Sequence, residues 1–361
     1  MKPATSAAIA VSADNTSTLR DAWHALTAKQ SLRIRDAAHT LGVSEAELLA
    51  TGVGEHVTRL VGNLAGDLRD LMMRIGELGP VLALTRNDAA VHEKEGAYTN
   101  ISNGDHIGLV LGDAIDLRLF HDQWVFGYAV EEKIGQDIRC SFQFFDACGD
   151  AVHKIFLREG ADPLTFEALR DAWADPLQIP GEIVLPRPAG TKPERPDDEV
   201  DVDTLRADWR AMTGSLPFFG LLKKHQVSRT QAFRLAGSEF ATPLLTNRPA
   251  LLLQKAAASG QEIMVFVGNP GCIQIHTGPV KNIQRMGNWI NVLDPGFSLH
   301  LREDLVKQVW LVKKTTADGI VTSIELFDDK GEFIAYFFGK RKPGIPETTG
   351  WRMLAESMEV R

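Results

Sequence analysis

The second half of the chain repeats the first, and this repeat limits the possible folds more than any other sequence feature. When the numbering is shifted by 182 positions, residues 87–119 align with residues 269–301 without a gap. At the same shift, the turn Phe145-Asp146 with Gly149 falls on Phe327-Asp328 with Gly331. Chance does not readily preserve turn residues in this way, so the sequence predicts two copies of one α+β unit. The identical pairs are Asn87/Asn269, Gly96/Gly278, Asn100/Asn282, Ile101/Ile283, Val110/Val292, Leu111/Leu293, Leu117/Leu299 and Leu119/Leu301.

Short apolar runs separated by turn residues predict an antiparallel meander of strands. Phe297, Leu299 and Leu301 alternate with polar side chains, which is the period of a half-buried strand. Residues 320–327 and 332–338 flank an Asp-Asp-Lys-Gly turn and predict a hairpin. The predicted fold class is therefore α+β with antiparallel sheets, and not a βαβ array.

The remaining patterns divide the chain into four parts. We expect a disordered leader at residues 1–17, an N-terminal repeat at 18–174, a linker at 175–203 and a C-terminal repeat at 204–361. The linker contains six prolines and an acidic run, and prolines at that density cannot continue a helix or a central strand. Ser44 and Ser228 each precede a helical pattern and are predicted N-caps at matching places in the two repeats.

Charge, cysteine usage and missing motifs exclude several classes of function. A formal charge of −8 argues against bulk nucleic-acid binding, which requires a basic face. The three cysteines form no CxxC pair, which suits a reducing cytoplasm. The N-terminus is too weak for a signal peptide, and no apolar run approaches the ~20 residues of a membrane span. Sequence templates of serine hydrolases, zinc proteases and phosphate-binding loops are absent.

Basic residues interrupt several of the predicted strands. Such residues usually lie on the solvent face of a strand; alternatively, several of them converge on an anionic ligand in a cleft between the copies. Arginine suits the second role because its guanidinium can bind a carboxylate through two hydrogen bonds. His92 follows an apolar run and is either an ordinary surface or core histidine or a metal ligand. The basic residues concerned are Arg118, Arg229, His300, Lys313, Lys314 and Arg341.

Five sequence motifs in a fixed order resemble the bacterial haem-utilisation proteins of the HemS/ChuS/PhuS type. The motifs are AVHEKEGAYTN, LRLFHDQW, EIMVFVGNPGCIQIHTG, INVLDPGFSLHLRED and DGIVTSIELFDDKGEF, and the resemblance extends from about Leu19 to Trp351. It implies two large stacked antiparallel sheets with flanking helices, and a haem-binding cleft where the C-terminal repeat meets the N-terminal one. Members of this family are cytoplasmic; some are haem-degrading oxygenases and others carry haem.

The resemblance also implies roles for individual residues. Arg118 and Phe120 are expected on the distal side of the haem, where Arg118 is also the candidate catalytic residue. Arg229, Lys314 and Arg341 are expected near the propionates or the pocket rim. Tyr336 stands where the family often has glutamine, and His92 matches a histidine proposed as a secondary haem contact, which makes it the candidate metal ligand.

One position departs from the family pattern. Leu216 occupies the place of the axial histidine in a segment that otherwise aligns without a gap, and leucine cannot bind iron. His225 lies nine residues further along, about two and a half helical turns away, which makes it a poor substitute. The other possible ligands, should the fold place them near the haem, are His92, His276, His300, Cys272 and Tyr336.

The resemblance therefore predicts a cytoplasmic haem-binding protein that carries haem, degrades it with release of iron, or does both. The alternative is a family scaffold that binds haem weakly or takes another planar anionic ligand. A haem-degrading oxygenase activity stays open, because such chemistry also needs electrons and an axial ligand. The expected partners are haem, an electron donor or a haem-uptake transporter, with no nucleic acid and no stable insertion into a membrane.

Overall fold

A computed structural model describes residues 13–61, 65–188, 193–213, 217–342 and 344–359. Within these ranges the chain forms ten α-helices and eighteen strands. The helices are α1 (Ala13–Thr27), α2 (Ile34–Leu41), α3 (Glu45–Ala50), α4 (Ala65–Arg74), α5 (Pro163–Trp173), α6 (Val202–Arg210), α7 (Pro217–His225), α8 (Arg229–Ala236), α9 (Arg248–Ser259) and α10 (Thr349–Glu356). None of these helices is both long and apolar enough to cross a membrane.

The strands fall into two series of nine, one in each half of the chain. The first is β1 (Val57–Arg59), β2 (Val81–Arg86), β3 (Ala90–Gly96), β4 (Ile101–Asn103), β5 (Gly108–Leu111), β6 (Asp116–Leu119), β7 (Phe126–Ile134), β8 (Asp137–Phe145) and β9 (Ala151–Leu157). The second is β10 (Ala241–Leu244), β11 (Ile263–Asn269), β12 (Cys272–Gly278), β13 (Ile283–Met286), β14 (Trp289–Asp294), β15 (Phe297–Arg302), β16 (Gln308–Thr316), β17 (Gly319–Phe327) and β18 (Phe333–Gly339).

The two series confirm the predicted duplication. Strands β7, β8 and β9 begin at residues 126, 137 and 151, and β16, β17 and β18 begin at residues 308, 319 and 333. Each pair differs by the same 182 positions that align the sequences. The helices also recur in the same order around the strands, so the whole unit is repeated.

The described strands form two nine-stranded antiparallel sheets, and each sheet contains strands of both halves. Sheet 1 has the order β1-β7-β8-β9-β2-β3-β15-β14-β13, and sheet 2 has the order β10-β16-β17-β18-β11-β12-β6-β5-β4. The halves therefore exchange three strands, joined through β3–β15 and β12–β6. This exchange means that any site on either sheet is built by both repeats.

The inner faces of the two sheets pack against each other to form the core. Strand β15 shows the predicted alternation, because Phe297, Leu299 and Leu301 are buried while the residues between them are half-buried. Between the sheets, the Gln274 side-chain amide donates to the Ala83 carbonyl at 2.9 Å. The predicted hairpin is also present as β17 and β18.

Two asparagines at equivalent turns fasten each half to the other. Asn87 donates to the Gly268 and Ile334 carbonyls at 2.9 and 2.8 Å. Asn269, 182 positions later, donates to the Arg86 and Val152 carbonyls at 2.9 and 2.8 Å. Each side-chain oxygen also accepts two backbone N–H groups of its own turn. Each asparagine therefore supplies hydrogen-bond partners to two backbone carbonyls and two backbone N–H groups, which explains why both turns carry asparagine.

Helices cover part of the outer face of each sheet. Ser44 and Ser228 cap α3 and α8 as predicted, with each side-chain oxygen accepting a backbone N–H three residues on. Helices α6 to α8 pack Trp209, Phe218 and Phe233 on the outer face of sheet 2. Their placement matters for function because it leaves the neighbouring strands of that face only half covered.

Two of the predicted segment boundaries need correction. Helix α1 begins at Ala13, and Thr16 is buried, so residues 13–17 belong to the fold and not to a leader; residues 1–12 lie outside the described ranges. Helix α6 begins at Val202, because Asp201 accepts the Thr204 N–H as its cap, so the C-terminal repeat starts before residue 204. The linker is not a free spacer, since Glu182 within it binds the side chains of Arg59 and Tyr128.

Candidate functional site

The outer face of sheet 2 brings most of the predicted site residues onto one surface. Directly paired residues of an antiparallel sheet point to the same face, and one such row reads Glu325, Tyr336, Phe266, Ile275 and Asp116. Three strand steps separate Tyr336 from Asp116, about 14 Å at the usual spacing between strands. The row begins in the C-terminal half and ends in the N-terminal half.

An apolar strip occupies the middle of this face. Met264, Phe266, Ile273 and Phe338 are each half-buried, although their neighbours on the inner face are fully buried. The rings of Phe266 and Phe338 lie 5.1 Å apart, edge to face. Half-buried apolar side chains in adjacent strands form a flat surface that a planar apolar molecule can cover.

A buried ion cluster borders the strip on the side of β16 and β17. The fully buried Glu325 carboxylate accepts from Arg229 Nε at 2.7 Å and from Arg229 Nη2 at 3.0 Å. It also accepts from Lys314 Nζ and from Ser323 Oγ, the latter at 2.8 Å. Two cations share one carboxylate, so the cluster keeps one net positive charge.

Burial opposes the charge on every member of this cluster, and the pairing outweighs burial at Glu325 and Arg229 but only in part at Lys314. Burial raises the pKa of Glu325, but Arg229 and Lys314 outweigh that effect and lower it to about 2. Burial lowers the pKa of Lys314 to about 8 against the attraction of Glu325. At Arg229 the attraction of Glu325 outweighs burial and raises the pKa. All three groups are therefore mainly charged at neutral pH.

Aromatic rings surround the two cations. The Arg229 guanidinium carbon lies 4.8 Å from the ring centre of Phe218 and 4.6 Å from that of Tyr336. Lys314 Nζ lies 5.0 Å from the ring centre of Phe218 and 5.7 Å from that of Phe338. The ring faces attract the cations and connect the ion cluster to the apolar strip.

Arg341 and the start of α7 lie near the same end of the face. Arg341 donates to Asp318 at 2.8 Å in the β16–β17 turn. In that turn, the Ala317 N–H donates to the Thr213 carbonyl at 3.0 Å. Thr213 precedes the segment with Leu216, which lies outside the described residues. Of the described residues on either side of that segment, Thr213 contacts the β16–β17 turn and Phe218 contacts Arg229 and Lys314.

Arg118 lies on the same face, at the far side of the apolar strip. Its guanidinium donates to Asp116 and to the Leu117 carbonyl, the latter at 3.0 Å. Phe120 follows β6, is half-buried, and donates its backbone N–H to the Gly271 carbonyl at 2.9 Å. Arg118 and the Arg229–Lys314 pair are therefore on opposite borders of the strip, and do not touch each other.

His92 lies away from this surface, and its assignment as a secondary haem contact and candidate metal ligand stays a prediction. It points to the inner face of sheet 1, is fully buried, and its ring centre lies 5.0 Å from that of Phe297. Neither ring nitrogen has a hydrogen-bond partner among the described residues. Burial lowers its pKa well below the usual value, so it is neutral.

The other proposed substitutes for the axial histidine separate clearly by location. Cys272 and His276 are buried between the sheets, and His300 lies on the outer face of sheet 1. His225 is buried, and its Nε2 forms a hydrogen bond with the Asp208 carboxylate at 2.6 Å. Tyr336 alone of these candidates lies on the outer face of sheet 2. Among the described residues, no group of three or more His, Cys, Asp or Glu side chains is arranged to hold a metal ion.

Sequence reasoning missed Glu325 and the apolar strip. A glutamate within the run Ser323-Ile324-Glu325-Leu326 is the available signal, because an unpaired carboxylate would be costly in a buried strand. Phe266 and Ile273 appeared only as members of apolar strands.

Comparisons with known proteins agree on one family. The haemin-degrading HemS.ChuX domain matches residues 42–173 and, a second time, residues 226–358. The hemin transport protein HmuS of Yersinia pestis is 40% identical over 319 residues, covering 88% of this chain and 90% of that protein. The heme-binding protein PhuS of Pseudomonas aeruginosa, in its holo crystal structure, has a TM-score of 0.91 at 44% identity, covering 96% and 99% of the two chains. The heme degrading enzyme ChuS of Escherichia coli O157:H7 has a TM-score of 0.86 at 34% identity, covering 95% and 99%.

Proposed function

Because this chain belongs to the HemS/ChuX family of haemin-degrading proteins, we propose that it is a haem-binding protein of haem-iron utilisation that holds haem on the outer face of sheet 2. One observation carries the proposal: a half-buried apolar strip lies between Arg118 on one border and the Arg229–Lys314 cluster on the other. The apolar centre of this surface favours a planar apolar ligand with charged groups at its edge over a small anion bound by charge alone.

The residues present fit the macrocycle and its carboxylates. Haem is a flat apolar ring with two propionates, and the strip supplies Phe266, Ile273 and Phe338 as a wall. Covering such a wall contributes roughly 25 cal/mol for each Å² of apolar surface removed from water. The net positive charge of the cluster attracts a carboxylate, while Glu325 holds both cations in place. Arg341 at the end of the face adds a further cation, paired with Asp318.

For the iron ligand, we propose Tyr336 in place of the missing histidine. A phenol oxygen is one of the protein ligands that haem iron accepts. No described residue hydrogen-bonds to the phenol of Tyr336. Burial raises the pKa of Tyr336, and the nearby Arg229 offsets only part of that rise, so the phenol is neutral without haem and would lose its proton only on binding a ferric ion. Bound haem would supply oxygen activation, and Arg118 would offer a hydrogen-bond donor to the edge of the macrocycle.

The compartment and partners follow from the same proposal. Cys140, Cys148 and Cys272 are all free thiols, which supports a reducing cytoplasm. A cytoplasmic haem-binding protein requires a source of haem, and we propose a haem-uptake transporter as that source. Ring opening would further require an electron donor.

A hemin titration followed by absorbance tests this function. We expect the wild type to give a saturable Soret change. Tyr336→Phe should still bind but show a shifted ferric spectrum, because it loses the oxygen ligand. Leu216→His should gain a histidine-type spectrum, and Arg118→Ala should bind more weakly. His92→Ala should match the wild type, because His92 is buried in the core.

Addition of reductant to the haem complex then separates two roles, since degradation yields a bilin and free iron whereas delivery leaves the Soret band intact.

Two outcomes would contradict different parts of this proposal. No saturable change in the wild type, with a clear change in Leu216→His, would show that the natural protein does not bind haem and would favour another planar anionic ligand. An unchanged spectrum in Tyr336→Phe, with normal haem binding in the wild type, would remove only the phenol as ligand.

A further inference from the structure

The outer face of sheet 1 is the structural equivalent of the candidate haem site, but it carries different side chains. Its rows follow from strand pairing, as on sheet 2. Arg86, Val91 and His300 pair across β2, β3 and β15 and share one row. The equivalent row on sheet 2, at the same shift of 182, is Gly268, Ile273 and Arg118. An arginine therefore stands on sheet 1 where sheet 2 has no side chain at all.

Arg86 is a half-buried cation of this face that has no counter-charge. No described carboxylate forms an ion pair with it, and its Nε is buried without a hydrogen-bond partner. Burial, followed by the nearby Arg35, lowers the pKa of Arg86 to about 10. The guanidinium is thus still charged at neutral pH, but it is poorly solvated.

The neighbouring charged groups do not form an ion pair with Arg86, and several of them are already paired with other residues. Lys154 binds the Glu45 carboxylate, and Arg35 binds Asp88. His300 accepts or donates a hydrogen bond with Asn291 at 2.7 Å. Glu45 and Asp36 act on Arg86 only through space, and neither reaches ion-pair distance.

Arg33 and Arg35 add positive potential at the same place. Arg33 is the exposed residue preceding α2, and both arginines lie close enough to Arg86 to lower its pKa. Arg33 also acts on Glu93, the neighbour of His300 on this face. Three guanidinium groups therefore lie near the β2–β3 turn, and among the described residues neither Arg86 nor Arg33 has an ion-pair or side-chain hydrogen-bond partner.

We propose that Arg86, together with Arg33 and Arg35, binds a small oxyanion, such as a phosphate or a carboxylate, on the outer face of sheet 1. A half-buried charge without a partner is poorly solvated, and an anion that accepts two hydrogen bonds from the Arg86 guanidinium would stabilise it. The side chain of Arg86 also occupies the surface that a flat macrocycle would need. The two equivalent faces of the duplicated fold would then serve two ligands of different size.

The test is thermal unfolding of the full chain with inorganic phosphate or citrate, against sodium chloride at matched ionic strength. A ligand that binds the folded state raises the melting temperature with its concentration. We expect phosphate or citrate to stabilise the wild type beyond chloride, and the stronger of the two identifies the preferred anion. Arg86→Met should weaken that anion's apparent affinity at least tenfold. Without anion its melting temperature should be equal to or above that of the wild type, because a half-buried charge without a partner has been removed.

Two further variants keep the test decisive. Arg139→Met removes an exposed, paired arginine from the same face and should leave the anion effect unchanged. Arg86→Lys keeps the charge but cannot donate the two parallel hydrogen bonds of a guanidinium. This variant should therefore fold, and it should bind the anion several-fold more weakly. No anion-specific stabilisation of the wild type would overturn the proposal, as would equal anion effects in the wild type and in a folded Arg86 variant.

Discussion

Replacing Glu325 with glutamine is expected to destabilise the protein by about 3–5 kcal/mol, the usual cost of removing one partner of a buried ion pair. The carboxylate is fully buried and is the shared partner of Arg229 and Lys314. Glutamine has nearly the same shape, so the packing stays while two cations lose their counter-charge. A shift of the urea unfolding midpoint to lower concentration measures the loss.

The pH dependence of this loss follows from the pKa of Glu325. Its pKa is lowered in the folded state from 4.5 to about 2. The carboxylate therefore contributes stability that is present above about pH 4.5 and is lost as the pH falls towards 2. The difference between wild type and Glu325→Gln should be complete at neutral pH and should shrink across this acidic range.

Glu262→Gln is the matched control, because Glu262 forms an exposed pair with Lys340. Exposed pairs usually contribute about 0–1 kcal/mol, so this variant should unfold close to the wild-type midpoint. If Glu325→Gln were no less stable than Glu262→Gln, the buried carboxylate would not be the group that holds the two cations.

Placing a charge in the apolar strip is expected to abolish most haem binding. In Phe266→Asp, a large apolar contact is lost and a carboxylate lies where the macrocycle would cover it. Losing the phenylalanine contact costs about 1.5–3 kcal/mol and burying an unpaired polar group costs about as much again or more. Each 1.4 kcal/mol is a tenfold change, so haem affinity should fall by about 100-fold or more in a hemin titration.

The duplication supplies the control for this variant. Leu84 lies 182 positions before Phe266 and occupies the equivalent half-buried place on the outer face of sheet 1. Leu84→Asp makes the same kind of change on the wrong face and should leave haem affinity unchanged. Equal losses in both variants would point to a general folding defect, which circular dichroism would detect. A loss confined to Leu84→Asp would place the haem on sheet 1.

Much of the fold could be predicted because it depends on local patterns. The alternation at Phe297, Leu299 and Leu301 and the caps at Ser44 and Ser228 each involve residues close in sequence. The exchange of strands could not be predicted, since the β3–β15 pair joins His92 to Leu299, and tertiary packing decides such pairings. Periodicity identifies a strand but not its neighbour across such a distance.

The site was predicted less completely, and for a related reason. Family resemblance gave Arg229, Lys314 and Tyr336, which the structure brings together. It did not give Glu325, whose role exists only once β16, β17 and α8 are assembled. The burial of His92 could not be predicted either, because the apolar run before it does not reveal which face of β3 it joins. Arg86 could not be recognised, because an unpaired charge is defined by what the fold fails to place beside it.

The crystal structure of the protein with bound haem tests the central claim most directly. Density for the macrocycle should lie over Phe266, Ile273 and Phe338, between Arg118 and the cluster of Arg229 and Lys314. Tyr336 should be within bonding distance of the iron if it replaces the missing histidine. Haem on the outer face of sheet 1, or away from both faces, would contradict the proposed site.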